Sequence, residues 1–230
     1  MNVSPDAVVL WRWGPVVLNA TIVYTWAVMA LLVLLAWLAT RRLTDGAQMS
    51  RWQNVLETVV DTIRGQIREI THQQPDRYLP LLGTLFLFIS VANFLAIVPG
   101  YQPPTGSITT TAALALCVFF AVPIYGILRR GAGGYFRRYL RPTPFMLPFH
   151  IIGEFSRTLA LAVRLFGNVM SGTLIVGILI SVVPFFLPVV MQALALLIGQ
   201  IQAYIFAVLA AVYIASGTGA REEKQVESER

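Results

Sequence analysis

The stretch GEFSRTLALAVRLFGNVMSG, Gly153–Gly172, decides the fold. It lies inside an apolar run from about 145 to 183, interrupted by Glu154, Arg157, Arg164 and Asn168. A transmembrane helix needs about 20 mostly apolar residues, and this run exceeds that. Arg157 and Arg164 are seven apart and share one helix face, which Asn168 and Ser171 continue. A charge inside a bilayer costs from about 2.5 kcal/mol to well above 10, so such side chains face protein or water and mark function. Glu154, three residues before Arg157, is expected to form a structural pair with it. Arg164 has no acidic residue within a turn. The chain holds 11 Asp and Glu, and apart from Glu154 they sit in loops, termini or a surface segment. Arg164 could snorkel to a headgroup or join the Glu154 pair. The sharper reading is that another chain, or a transported anion, brings the negative charge.

The rest of the chain fits a lipid solvent. Of 230 residues, 57% are hydrophobic and 12% charged, with a mean hydropathy of +0.69. Soluble domains carry about 25% charged residues. The net charge is +6, yet the only lysine is Lys224, and the arginines punctuate apolar blocks instead of forming a patch. That is membrane topology, not nucleic-acid binding. The first ten residues lack the basic start and cleavage site of a secretory signal, so the first apolar stretch is expected to be retained. The lone Cys117 reads as a small apolar packing residue.

Five spans are expected, at about 16–40, 78–98, 109–128, 145–183 and 189–216, in a single all-α, polytopic membrane domain covering 1–230. Pro184 and Pro188 bracket the last turn. Arg41, Arg42, Arg51, Arg64, Arg68 and Arg77 fall between spans one and two; Arg129, Arg130, Arg137, Arg138 and Arg141 fall between spans three and four. Short basic loops stay in the cytoplasm, whereas the loop from Gly100 to Ile108 is uncharged. The amino terminus is therefore expected outside and the carboxyl terminus inside. Between the first two spans, Trp52, Val55, Val59, Ile63, Ile67 and Ile70 recur at spacings of three and four. This predicts an amphipathic helix over about 50–71, lying on the membrane surface or, alternatively, against a partner helix.

The fifth stretch carries a polar line: Gln192, Gly199, Gln202, Phe206 and Tyr213 share a face, with Gln200 nearby. These glutamines either bind helices together or, set against the Arg164 face, line a wet passage. Periodicity leaves both open. There is no GxxxxGK[ST] phosphate loop, and His72 and His150 lack metal-site spacing. The expectation is a conduit or partner with no cofactor and no bond chemistry of its own.

At this point the residues resemble a known family. The run SRTLALAVRLFGNVMSG, Ser156–Gly172, looks like the signature of the a subunit of F-type ATP synthases, its most specific part being Arg164 to Asn168. The likeness continues in NFLAIVPG (Asn93–Gly100), PPTGSITTTAALAL (Pro103–Leu116) and IQAYIFAVLAAVYI (Ile201–Ile214). The resemblance implies that Arg164 faces the ion-binding carboxylates of a rotating ring of c subunits. It matches Gln202 to the glutamine neighbouring that arginine, and Asn168 to the asparagine one turn beyond. It implies that the last two spans form a long tilted hairpin against the ring. Further implied partners are peripheral stalk b subunits, the remainder of the complex and the bilayer of a bacterial inner membrane. Ions, H+ or Na+, would pass through two offset half-channels and turn the ring, coupling ion flow to ATP synthesis or hydrolysis.

Two positions depart from the family pattern. Many members carry a titratable residue shortly after the GN element and another early in the last helix; here those positions are Thr173 and Ala195. A pathway lined by Asn168, Ser171, Thr173, Gln192 and Gln200 would be polar but uncharged. The short amino-terminal region and these changes also resemble an alternate form of the complex associated with sodium. The rival readings are a self-contained secondary transporter or anion channel, in which Arg164 would bind an anionic substrate, and a structural scaffold. The transporter predicts paired inverted halves, which five spans do not show.

Overall fold

The computed structural model describes residues 9–13, 16–41, 51–71, 75–98, 100–139, 147–182 and 186–218. Two short strands, β1 (Val9–Trp13) and β2 (Val16–Asn19), pair antiparallel at the amino-terminal end. Six helices follow: α1 (Ala20–Thr40), α2 (Arg51–Thr71), α3 (Leu79–Phe94), α4 (Ile108–Tyr139), α5 (Leu147–Val182) and α6 (Leu187–Thr218). Among the described residues, five helices are long and apolar enough to cross a membrane, with α2 the exception. The architecture is that of an all-helical, multi-pass membrane protein with a small hairpin added.

The boundaries differ from expectation in places that have physical reasons. Val16–Asn19 is a strand, so the first membrane helix starts at Ala20 instead of Val16. Helix α4 continues past Leu128 to Tyr139, but Gly131, at φ 74°, breaks it. That conformation costs glycine nothing and penalises a side chain, so the apolar part ends beside Arg129 as the arginines suggest. Pro188 sits in the first turn of α6, where its missing N–H is no loss. Arg42, Pro99, Arg141, Pro184 and the charged tail 221–230 lie outside the described residues.

Helix α6 is the hub, packing against α2, α3, α4 and α5. Its small residues allow close approach: Gly199, Ala203, Ala210, Ala211 and Gly217 are all buried. A Cβ on Gly217 would come within 2.5 Å of Val122 Cγ1 on α4. Phe206 and Ile214 of α6, Leu82 and Ile89 of α3, and Leu161 and Leu165 of α5 form the dry centre. Without a hydrophobic drive between helices in lipid, this packing and buried hydrogen bonds hold the bundle. Helix α1 is peripheral and rests on α3. Cys117 faces outward on α4 and is not part of the core, which corrects the packing expectation.

Helix α2 follows the docked alternative. Ile67 and Thr71 are buried, Ile63 and Ile70 pack against the core, and Tyr204 of α6 donates to Gln66 Oε1 at 2.8 Å. Its partner helices are α3 and α6 of the same chain. The outer face carries Arg64, bridged to Asp61 at 3.3 Å and to Asp76 at 3.0 Å. Both pairs are exposed and each is worth at most about 1 kcal/mol.

Candidate functional site

Helices α5 and α6 run antiparallel: Asn168 meets Gln202, and further along Gly172 faces Ala195. At 1.5 Å per residue the 36 residues of α5 extend about 54 Å and the 32 of α6 about 48 Å. Both exceed the ~30 Å hydrocarbon core. Such helices cross tilted or project beyond it. Their outward faces are apolar, with Leu159 and Val163 on α5 and Leu197 and Ile201 on α6 all at least half exposed.

Arg164 sits on that outward face of α5, exposed, and no carboxylate pairs with it among the described residues. One turn later Asn168 donates its side-chain amide to Gln202 Oε1 at 2.7 Å. Gln202 is 2% exposed, and its Nε2 finds no acceptor among the described residues. A buried donor left unmet costs about 1–3 kcal/mol, so this amide calls for a partner that the described residues do not supply.

Beyond this pair lies a cavity of about 230 Å³ between α3, α5, α6 and the loop that starts at Gly100. It gathers Asn168, Ser171, Thr173 and Gln192, four of the residues expected on a wet passage. Ser171 Oγ donates to Asn168 O at 3.1 Å and Thr173 Oγ1 to Val169 O at 2.9 Å. Each hydroxyl proton is thus used on its own helix while the oxygen keeps lone pairs. Ala195 also lines the cavity. The two positions at which the chain departs from its resemblance, Thr173 and Ala195, therefore border one space.

Gln200 stands elsewhere. It accepts from Ser90 Oγ at 2.5 Å and donates to Ser90 O at 3.0 Å, so it fastens α6 to α3 and does not line the cavity. Gln192 has a double part: it lines the cavity and donates to Ala96 O at 2.9 Å. Both glutamines thus tie α6 to its neighbours, and Gln192 also borders the cavity. The Arg157 guanidinium lies over the Tyr213 ring on α6, 5.8 Å from its centre. Pairing of Arg157 with Glu154 stays an inference from spacing.

Three residues that sequence reading passed over belong to the site. Asn93, 4% exposed, donates to Gly199 O at 3.0 Å and accepts from Thr105 Oγ1 at 2.8 Å. It joins α3, α6 and the loop that starts at Gly100 at the cavity wall. An amide within an apolar span was the available signal. Tyr101 and Gln102 line the same cavity from a loop, where helical periodicity offers no guide.

Comparison with known proteins shows the family. The family described as ATP synthase A chain matches residues 22–215. The chain is 60% identical over 218 residues to ATP synthase subunit a 2 of Acaryochloris marina, covering 95% of this chain and 93% of that one. It is 55% identical over 230 residues to ATP synthase subunit a of Albidiferax ferrireducens, covering 100% of both. It is 57% identical over 223 residues to ATP synthase subunit a 1 of Chlorobaculum parvum, covering 97% and 99%. With the match running through five apolar helices and the Arg164 to Asn168 element, the chain belongs to the ATP synthase A chain family, the a subunits of F-type ATP synthases.

Proposed function

We propose that the chain is the stator of the membrane rotor, with Arg164 as the charge that meets the ring carboxylates and the cavity beside Asn168 as part of an ion half-channel. The observation that carries this reading is the sequence of environments along α5. An exposed, uncompensated arginine is followed one turn later by the Asn168–Gln202 amide pair, of which Gln202 is buried, and Asn168 borders a cavity lined in part by polar side chains. A charge held in lipid needs a counter-charge, and the apolar faces of α5 and α6 around it are shaped for a partner helix. A ring carboxylate arriving there is favoured in its ionised form by the arginine, which releases its ion. Arg164 also bars a direct leak between the two half-channels.

The cavity opens by the uncharged loop, which the arginine pattern puts on the outer side. Its ion thus comes from, or leaves to, the outside, and the carboxyl terminus is cytoplasmic. The lining is neutral throughout, so ions pass over amides, hydroxyls and water instead of a titrating side chain. This suits H+ carried by a water chain as well as Na+. The chain supplies no nucleotide site; ATP chemistry belongs to other subunits, and the stator needs the c-ring and stalk b subunits beside it. The direct test is cysteine cross-linking. In the assembled complex, Ile201→Cys is expected to cross-link to a cysteine placed beside the ring carboxylate. A cross-link only to stalk subunits would place a different partner on this face.

A further inference from the structure

The outer loop ends two buried polar atoms in nothing. Tyr101 OH and Gln102 Oε1 are buried, and neither has a hydrogen-bond partner among the described residues. Both side chains line the cavity that contains Asn168 and Thr173. Two unmet buried groups at the wall of one cavity would be costly unless water reaches them. At about 30 Å³ per molecule, a cavity of about 230 Å³ holds several waters.

The loop is not placed by chance. Tyr24 of α1 donates to Gly100 O at 3.1 Å, and its ring meets that of Tyr101 edge-on at 5.0 Å. Tyr101 N donates to Val98 O at 3.1 Å. Gly100 takes φ 87°, a conformation that turns the chain sharply off α3 and favours glycine. The otherwise peripheral α1 thereby props the two polar side chains over the cavity.

We propose that Tyr101 and Gln102 form the inner rim of the outer half-channel. Their hydroxyl and amide oxygen anchor the water through which the ion travels between the outer solution and Asn168. This rests on the stator reading above. Tyr101 serves there as a neutral hydroxyl: burial, with a smaller contribution from Tyr24, pushes its phenol above the usual tyrosine range, so it holds its proton throughout. Gln102 contributes a carbonyl lone pair that suits a water proton or a cation equally.

The experiment uses the assembled complex in vesicles. Thr173→Cys in a Cys117→Ser background reports access to the cavity through its labelling rate by a membrane-impermeant thiol reagent added on the outer side. Transport is measured separately without those two changes. Gln102→Leu is expected to slow labelling at least fivefold and to lower ATP-driven ion transport by a similar factor, while Gln102→Asn retains most of both. Tyr101→Phe, which keeps the ring packing, is expected to shift both in the same direction and covers the case in which Gln102→Leu does not assemble. Wild-type labelling rates in both rim variants would overturn the proposal, as would lost transport with unchanged labelling. Arg164→Ala, assayed for transport in parallel, separates the two levels. If it pumps normally the stator reading fails; if it is inactive while the rim variants match wild type, only the rim assignment fails.

Discussion

Asn168 on α5 and Gln202 on α6 are joined by one 2.7 Å hydrogen bond across the interface of the two longest apolar helices. The bond sits between an exposed arginine on one side and a polar cavity on the other. It ties α5 to α6 one turn beyond Arg164.

Replacing Gln202 with Leu removes that bond and leaves Asn168 facing an apolar side chain. Transport is expected to fall roughly tenfold, the equivalent of about 1.4 kcal/mol and within the cost of an orphaned polar group. A double-mutant cycle with Asn168→Ala on transport rates is expected to show coupling of about 1 kcal/mol. Additive losses would mean that the two amides act separately.

Gly199 packs under Asn93. A Cβ there would lie 3.1 to 3.3 Å from the Asn93 side chain, which is itself held by Thr105. Gly199→Ala is therefore expected to destabilise the α3–α6 junction by about 1–3 kcal/mol, the usual cost of overpacking. Thermal denaturation of the purified complex, following release of this subunit, measures it. Gly172→Ala is the control, since its added methyl would meet Ala195 at an ordinary 3.5 Å.

The hydrogen bond from Tyr204 to Gln66 is the polar tie between α6 and α2. Tyr204→Phe keeps the ring and removes about 0.5–1.5 kcal/mol. Amide exchange in α2 is expected to rise by a factor of several while α3 and α6 stay protected. Unchanged exchange would show that Ile63, Ile67 and Ile70 hold α2 without it.

Thr173→Glu introduces a carboxyl into a cavity whose lining is otherwise neutral. While protonated the group is neutral and transport resembles wild type; once ionised it puts a negative charge in the pathway and slows release of a cation. Transport against pH is expected to show an inflection that wild type lacks. A profile superimposable on wild type would place Thr173 off the pathway.

Five spans and Arg164 were legible because lipid imposes strict terms: apolar length and misplaced charge have few other meanings. The α2 stripe was equally plain, but Ile63 and Ile67 could serve headgroups or helices alike, and only tertiary contact decides. The same limit applied to Gln192 and Gln200, which share a helix and differ by which atoms face them. Spacing can see only local neighbours such as Glu154 and Arg157, whereas the contact of Arg157 with Tyr213 spans two helices and has no local trace. Tyr101 and Gln102 sit where no period operates, so their place on the cavity depends on how α1 and α3 present the loop.

The decisive measurement is ATP-driven ion transport in vesicles holding the assembled complex, wild type against Arg164→Ala, each with and without sodium. The variant is expected to assemble with its ring and lose coupled transport, and a sodium requirement in wild type would name the ion. Normal pumping by the assembled variant would leave Arg164 a structural residue and rule it out as the charge that meets the ring.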